Sequence, residues 1–319
     1  MITVLFFLIG FYILLKGADF LVEGASSVAR RFQIAPIVIG LTIVSFGTSA
    51  PEFIINILSS LNGNSEIAIG NIVGSNIANI LLILGLSSTI YPLISKHNTV
   101  WKEIPLALLA VILLAVMGND TRIDGATISY ISRIDGIIFI AFFIVFMYYT
   151  VSISKATGEE KTLFAQKHLS FKKSSLYVLS GLLGLAIGGK FIVDGAVFIA
   201  ATWGLSESLI GLTIIAIGTS LPELATSAVA AFKKNPDIAI GNVVGSNIFN
   251  VFFILGISAL INPIPFKDGR DIDLIVATLA SLALFAFMFI GKKHTIERHQ
   301  GAIMLTSYIG YLIYLVAAR

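Results

Sequence analysis

Residues 40–52 read GLTIVSFGTSAPE, and residues 211–223 repeat them as GLTIIAIGTSLPE. A little further on, IAIGNIVGSNIAN at 67–79 is answered by IAIGNVVGSNIFN at 238–250. Working outward from these pairs, residues 20–92 align with 191–263 at a constant offset of 171 with no gap, and 33 of 73 positions are identical. A gapless copy of that length is one structural unit written twice, so whatever the first stretch does in the fold the second should do as well.

The surroundings of both copies are apolar. Hydrophobic residues make up 56% of the 319 positions and charged residues only 12%, far from the roughly 25% charge of soluble domains. So little charge cannot cover so apolar a chain in water, and the remaining surface should face lipid. A helix crossing the hydrocarbon needs about 20 mainly apolar residues. Apolar stretches bounded by polar turns predict spans near 2–29, 37–61, 67–91, 101–118 and 134–151, then 175–200, 208–232, 238–261, 272–291 and 302–317. The expected fold is an all-α membrane protein of ten transmembrane helices. Residues 1–151 and 175–319 form two five-helix repeats, and the mixed-charge segment 152–174 links them. The first span runs into Lys16 and Asp19 without a cleavage-site flank, so it is expected to be retained rather than removed as a signal peptide.

Loop charge sets the orientation. Loops after the odd-numbered spans hold 14 lysines and arginines, among them Arg30, Arg31, Lys172, Lys173, Lys233 and Lys234. The other side holds five: Arg122, Arg133, Lys267, Arg270 and Arg319. The odd loops should be cytoplasmic, and both termini should lie outside the cell membrane. Five spans per half is an odd number, so the second copy enters the membrane from the opposite side. Two inverted repeats of this kind are a common transporter plan, with the substrate held near midplane where they meet. Lys16, Asp19 and Glu23 in the first span, and Lys190 and Asp194 in the sixth, are expected to pair at helical spacing, as Lys190 can with Asp194; a role in gating is the alternative.

The repeated motif interrupts a span that should be continuous. Pro51 and Pro222 each remove a backbone donor and crowd the carbonyl four residues back, so carbonyls near Ser45 and Gly47, and near Ala216 and Gly218, become candidate ligands. Glu52 and Glu223 put one carboxylate in mid-membrane in each half, at a cost of about 2.5–3.5 kcal/mol apiece. Internal acids that merely fix helix packing would not need to sit beside broken backbone in both copies. In the next span Asn71, Ser75 and Asn79 recur every fourth residue and so share a face, and Asn242, Ser246 and Asn250 repeat the stripe. Helix-to-helix hydrogen bonding competes with cation contact for Asn71, Asn76, Asn242 and Asn247; cation contact is favoured for Ser75, Asn79, Ser246 and Asn250. Gly70 with Gly74, and Gly241 with Gly245, are spaced to let helices approach closely.

Carboxylates, hydroxyls, amide oxygens and carbonyls are all hard oxygen ligands. They suit Ca²⁺, with its 6–8 oxygens, and Na⁺, and do not suit soft metals. The chain has no cysteine, and its four histidines, His97, His168, His294 and His299, fall in expected loops. That argues against a thiolate or zinc centre in the membrane and against nucleophilic catalysis, and no phosphate-binding loop or nucleic-acid motif is present. The expected protein is therefore not an enzyme and needs no cofactor. Its partners are the transported ions and the lipid bilayer, and a monomer suffices.

The doubled GTSAPE/GTSLPE and GNIVGSNIAN/GNVVGSNIFN motifs resemble the two alpha repeats of the calcium/cation antiporter superfamily, here residues 37–92 and 208–263, and within it the compact prokaryotic Na⁺/Ca²⁺ exchangers. The resemblance implies four cation sites between helices 2, 3, 7 and 8. Carried over by motif position, Glu52 and Glu223 are shared by Ca²⁺ and Na⁺, and Thr48 and Thr219 lend oxygens to Ca²⁺. Ser49, Ser220, Ser75 and Ser246, with the carbonyls of Ser45 and Ala216, serve flanking Na⁺ sites, and Asn79 and Asn250 face the centre. Some relatives, including the K⁺-dependent branch, carry aspartate where this chain has Asn250, which argues against a K⁺ requirement. The proton-coupled branch favours Gly-Asn before its acid, where Gly-Thr-Ser stands here. The expectation is electrogenic Na⁺/Ca²⁺ antiport by alternating access. H⁺/Ca²⁺ antiport and a cation channel are the alternatives.

Overall fold

A computed structural model describes residues 2–62, 65–123, 125, 127–154, 169–202, 216–266 and 271–318, and it is helical almost throughout. The first half contributes α1 (Ile2–Phe32), α2 (Pro36–Thr48), α3 (Ala50–Leu61), α4 (Ala68–Ile90), α5 (Thr99–Met117) and α6 (Arg133–Ser152). The second contributes α7 (Phe171–Thr202), α8 (Ala216–Thr219), α9 (Leu221–Phe232), α10 (Pro236–Ile261), α11 (Asp271–Phe287) and α12 (Arg298–Ala318). Six of these, α4, α5, α6, α7, α10 and α12, are each long and apolar enough to cross a membrane, and α2 with α3 make a seventh as a pair bent by 49°. The chain is a multi-pass membrane protein. The ten expected spans are not all matched by such helices. Among the described residues α1 and α11, the latter of 17 residues, are not counted with them, and the 208–215 part of the expected seventh span lies outside the described residues, as do Glu207, His168, Lys267, Arg270, Arg319 and most of the linker.

Several boundaries move. α7 begins at Phe171, inside the expected 152–174 linker, because Ser27 of α1 holds its start: Leu169 N and Ser174 Oγ both donate to Ser27 Oγ, at 2.9 and 2.8 Å. α11, the expected ninth span, ends at Phe287, short of the expected 291. His97 and His299 lie in the first turns of helices rather than in loops. Four stretches, Gly40–Val44, Asn79–Leu84, Thr99–Glu103 and Phe249–Leu255, widen to π-helix, which sequence periodicity does not announce. The second and fourth fall at nearly the same place in the two copies.

The two halves interlock. α1 and α7 lie antiparallel: close approaches run from Gly10 to Gly188, Gly17 to Gly181 and Gly24 to Ser174. A Cβ on Gly17 would stand 2.7 Å from Leu185 N, and one on Gly188 would stand 2.6 Å from Leu14 N. Only glycine permits that backbone contact. The last helix of each half packs on the third span of the other. Gly136 of α6 meets the Gly256 carbonyl, and Gly301 of α12 meets that of Gly85. Short antiparallel ladders close the same crossings, Leu93–Ile94 with Thr295–Ile296 and Tyr130–Ile131 with Ile264–Pro265. Because 85 and 256, like 93 and 264, differ by the repeat offset, the crossings are two copies of one design.

The charged residues of the first and sixth spans divide. Lys190 pairs with Asp194 within α7 at 2.7 Å, as expected. Asp19 does not pair within α1; Lys233, at the end of α9, reaches it at 2.5 Å and approaches Glu23 at 4.0 Å. The sequence spacing held no hint of this, since the partner lies 214 residues away and only packing brings it near.

Candidate cation site

The motif breaks its helix at the serine. Ser49 (φ −80, ψ 8) separates α2 from α3, and Ser220 (φ −88, ψ 5) separates α8 from α9. Pro51 and Pro222 occupy the opening turns of the new helices, where a missing N–H costs nothing, and the first acid of each follows in that turn. Glu52 and Glu223 thus stand at the positive ends of two half-helices, each only 1% exposed.

The two breaks face each other and exchange hydrogen bonds in matched pairs. Ser49 Oγ donates to Glu223 Oε1 at 2.8 Å, and Ser220 Oγ to Glu52 Oε1 at 3.4 Å. Ser49 Oγ also lies 2.9 Å from Ser246 Oγ, and Ser220 Oγ 3.2 Å from Ser75 Oγ. Thr48 Oγ1 donates to Asn242 Oδ1 at 3.0 Å and Thr219 Oγ1 to Asn71 Oδ1 at 3.4 Å. Asn79 Nδ2 donates to Asn247 Oδ1 at 2.8 Å and Asn250 Nδ2 to Asn76 Oδ1 at 3.0 Å. Each of these four pairs of bonds is related by the repeat offset.

Hydrogen bonds across the two breaks thus gather Thr48, Ser49, Glu52 and Ser75 from the first copy with Thr219, Ser220, Glu223 and Ser246 from the second; Asn79 and Asn250 bond to Asn247 and Asn76, the residues next to Ser246 and Ser75. Ser45 needs a correction. Its carbonyl is not freed by the break, since Ser49 N donates to it at 3.0 Å and Thr48 Oγ1 at 3.3 Å. Pro51 removes the donor four residues after Gly47, so the α-helical bond to Ser45 survives. Any cation would have to share that oxygen through its second lone pair. Ala216 opens the one-turn α8.

Asn71, Asn76, Asn242 and Asn247, left open by sequence, all bond across to the opposite copy. Gly241 and Gly245 fulfil the small-residue expectation. A Cβ on Gly241 would meet the Ile37 carbonyl at 2.9 Å, and one on Gly245 would meet Ser45 Oγ at 2.7 Å. Asn56 and Ser227 line the half-helices beyond the acids, with Asn56 Nδ2 on the Glu52 carbonyl at 2.8 Å and Ser227 accepting from Asn242. Neither was singled out, because neither belongs to an identical stretch.

Four oxygens of these residues, Glu52 Oε2, Glu223 Oε2, Asn79 Oδ1 and Asn250 Oδ1, are buried with no hydrogen-bond donor among the described residues. Buried oxygens without a donor carry a desolvation cost of about 1–3 kcal/mol each, and a cation among them would relieve it. A cleft of about 200 Å³ runs beside the site, lined by Pro51, Lys190, Asp194, Gly218, Thr219 and Pro222. A larger recess of about 460 Å³ between α11 and α12 is lined mainly by apolar residues and lies away from both acids.

Buried oxygen donors at two facing helix breaks in a multi-pass helical protein define a membrane protein that handles cations. The chain belongs to the sodium/calcium exchanger protein family, whose model matches residues 2–152 and 173–317; it is a cation antiporter, not an enzyme. It is 36% identical over 320 residues to the putative antiporter CaxA of Alkalimonas amylolytica, covering 98% of each chain. It is 30% identical to the sodium/calcium exchanger MaX1 of Methanosarcina acetivorans, covering 99% of each. Among solved structures it is similar to the sodium-calcium exchanger NCX_Mj soaked with Na⁺ and Ca²⁺, at a TM-score of 0.85 and 35% identity, covering 100% of this chain and 99% of the other.

Proposed function

We infer that this chain exchanges Na⁺ for Ca²⁺ across the cell membrane by alternating access. The observation that carries this reading is the set of four donorless buried oxygens, two of them carboxylate, gathered from both copies. Glu52 and Glu223 balance the charge of one Ca²⁺. Thr48, Thr219, Asn79 and Asn250 add neutral oxygens, and Ser49, Ser75, Ser220, Ser246 and the carbonyls of Ser45 and Ala216 hold Na⁺ at the flanks. Because both ions use the same acids they compete, and the empty, doubly negative site resists crossing the membrane, so movement of one ion requires the other. Three Na⁺ against one Ca²⁺ would leave a surplus charge, worth about 2.3 kcal/mol per 100 mV.

The architecture that goes with this reading is ten transmembrane helices in two inverted five-helix repeats, 1–151 and 175–319, joined by a cytoplasmic linker at 152–174, with both termini extracytoplasmic. The antiparallel α1–α7 pair and the matched crossings of α6 and α12 support it. Sliding of α1 and α7 past the site would expose it to each side in turn. Membrane-impermeant labelling of single cysteines placed at the termini tests the orientation, and labelling only from the inside overturns it.

Radioactive Ca²⁺ uptake into proteoliposomes tests the function. Uptake that requires internal Na⁺ and persists without K⁺ or a pH gradient is the expected result. Uptake driven by a proton gradient without Na⁺ would assign H⁺ coupling, and Ca²⁺ current with no counter-ion would make the protein a channel.

A further inference from the structure

Asn79 and Asn250 can serve a cation only if their carboxamides are turned the right way, because the other end of each amide presents two N–H donors that repel it. The orientation is set by a relay that starts at main-chain carbonyls, groups that can only accept. Asn76 Nδ2 donates to the Asn247 carbonyl at 3.3 Å, and Asn247 Nδ2 to the Asn76 carbonyl at 3.4 Å. Each of these amides must therefore direct its Oδ1 elsewhere. Asn76 Oδ1 takes the Nδ2 of Asn250 at 3.0 Å, and Asn247 Oδ1 takes that of Asn79 at 2.8 Å. With both NH₂ groups engaged, Asn79 Oδ1 and Asn250 Oδ1 are left buried without a donor. A single flip anywhere in the relay would set two donors or two acceptors against each other, so the four amides hold one polarity together.

We propose that Asn76 and Asn247 are positioning residues that fix the carboxamides of Asn250 and Asn79 with their oxygens towards the transported cation. The proposal rests on the exchange reading above and adds what that reading lacks: a reason why a neutral amide, free in principle to face either way, acts as a ligand. It also explains why the motif keeps two asparagines three residues apart, Asn76 with Asn79 and Asn247 with Asn250. The second of each pair meets the ion, and the first of the opposite copy orients it.

The test exploits a background in which orientation cannot matter. A carboxylate has no donor end to turn away from a cation, so Asn250→Asp removes any need for Asn76 to set polarity and leaves the Asn76 oxygen facing another acceptor; Asn79→Asp does the same for Asn247. Ca²⁺ binding is measured by titration calorimetry on the purified full-length protein in Na⁺-free buffer. Asn76→Leu is compared in the native and Asn250→Asp backgrounds, with melting temperatures recorded for all four proteins. In the native background Asn76→Leu is expected to weaken Ca²⁺ binding about tenfold or more, the scale of a hydrogen bond to a charged partner. In the Asn250→Asp background the same substitution removes an acceptor that faces an acceptor, so it should leave binding unchanged or strengthen it. Asn247→Leu should behave alike against Asn79→Asp. Equal weakening in both backgrounds would mean that Asn76 only supports packing, and no weakening in the native background would mean that it orients nothing; either overturns the relay while leaving the exchange reading standing. If the native protein binds no Ca²⁺, both fall together.

Discussion

Ser49 Oγ lies 2.8 Å from Glu223 Oε1, across 174 residues of sequence, whereas its counterpart Ser220 lies 3.4 Å from Glu52. The shorter bond holds its carboxylate more firmly, so the two serines should not be equivalent although their motifs are. Ser49→Ala is expected to raise the ion concentrations for half-maximal exchange about tenfold, and Ser220→Ala only a few-fold, within the usual range for hydrogen bonds to charged groups. Initial-rate Ca²⁺ uptake at graded Na⁺ and Ca²⁺ checks the ranking. Equal effects would mean that the asymmetry has no functional weight.

Glu52→Gln and Glu223→Gln should each abolish Na⁺-driven Ca²⁺ uptake while the protein remains folded. Each removes one of the two charges that balance the divalent ion, and glutamine keeps the shape. Buried where they are, the amides spare the cost of a carboxylate, so melting temperatures should hold or rise. Near-normal uptake by either variant would contradict the site assignment.

Exchange by the native protein should proceed without K⁺, and Asn250→Asp should impair it. Asn79 and Asn250 match, so the centre holds two formal negative charges. A third carboxylate repelled by Glu52 and Glu223 must be balanced by a proton or by a further monovalent cation. Uptake by the variant should then depend more steeply on pH or gain a K⁺ requirement, measurable with choline in place of K⁺. Loss of native activity in choline would show that Asn250 does not distinguish this chain from K⁺-dependent relatives.

Gly17→Leu should lower thermal stability in detergent severely, by about 3 kcal/mol or more, the scale of overpacking at a site that cannot relax. Its Cβ would stand 2.7 Å from the Leu185 backbone nitrogen and 2.9 Å from the Gly181 carbonyl. Gly125, with nothing within 4 Å but φ +69, is the control: its substitution should cost only the strain of its turn. A Gly17→Leu protein as stable as the native one would mean that α1 and α7 are not so closely apposed.

The sequence by itself determined that the protein lives in a membrane and that it is built from two copies of one unit, and it singled out Glu52 and Glu223 as the candidate acids. Those features are local or periodic: apolar length, the proline that ends a helical ladder, a costly charge beside it, and a repeated spacing readable along one chain. It also put forward the ten side chains proposed here as ligands, because each lies in a stretch copied nearly unchanged. Only the tertiary structure decided which residue of one copy meets which of the other. That Asp19 finds Lys233 rather than a neighbour on its own helix, that Asn76 turns Asn250, and that the Ser45 carbonyl keeps its helical donor depend on helix rotation and on the distances between faces. The π-helical turns at Asn79–Leu84 and Phe249–Leu255 are of the same kind. They begin at Asn79 and next to Asn250, and a π-helical turn has no signature in the spacing of either copy.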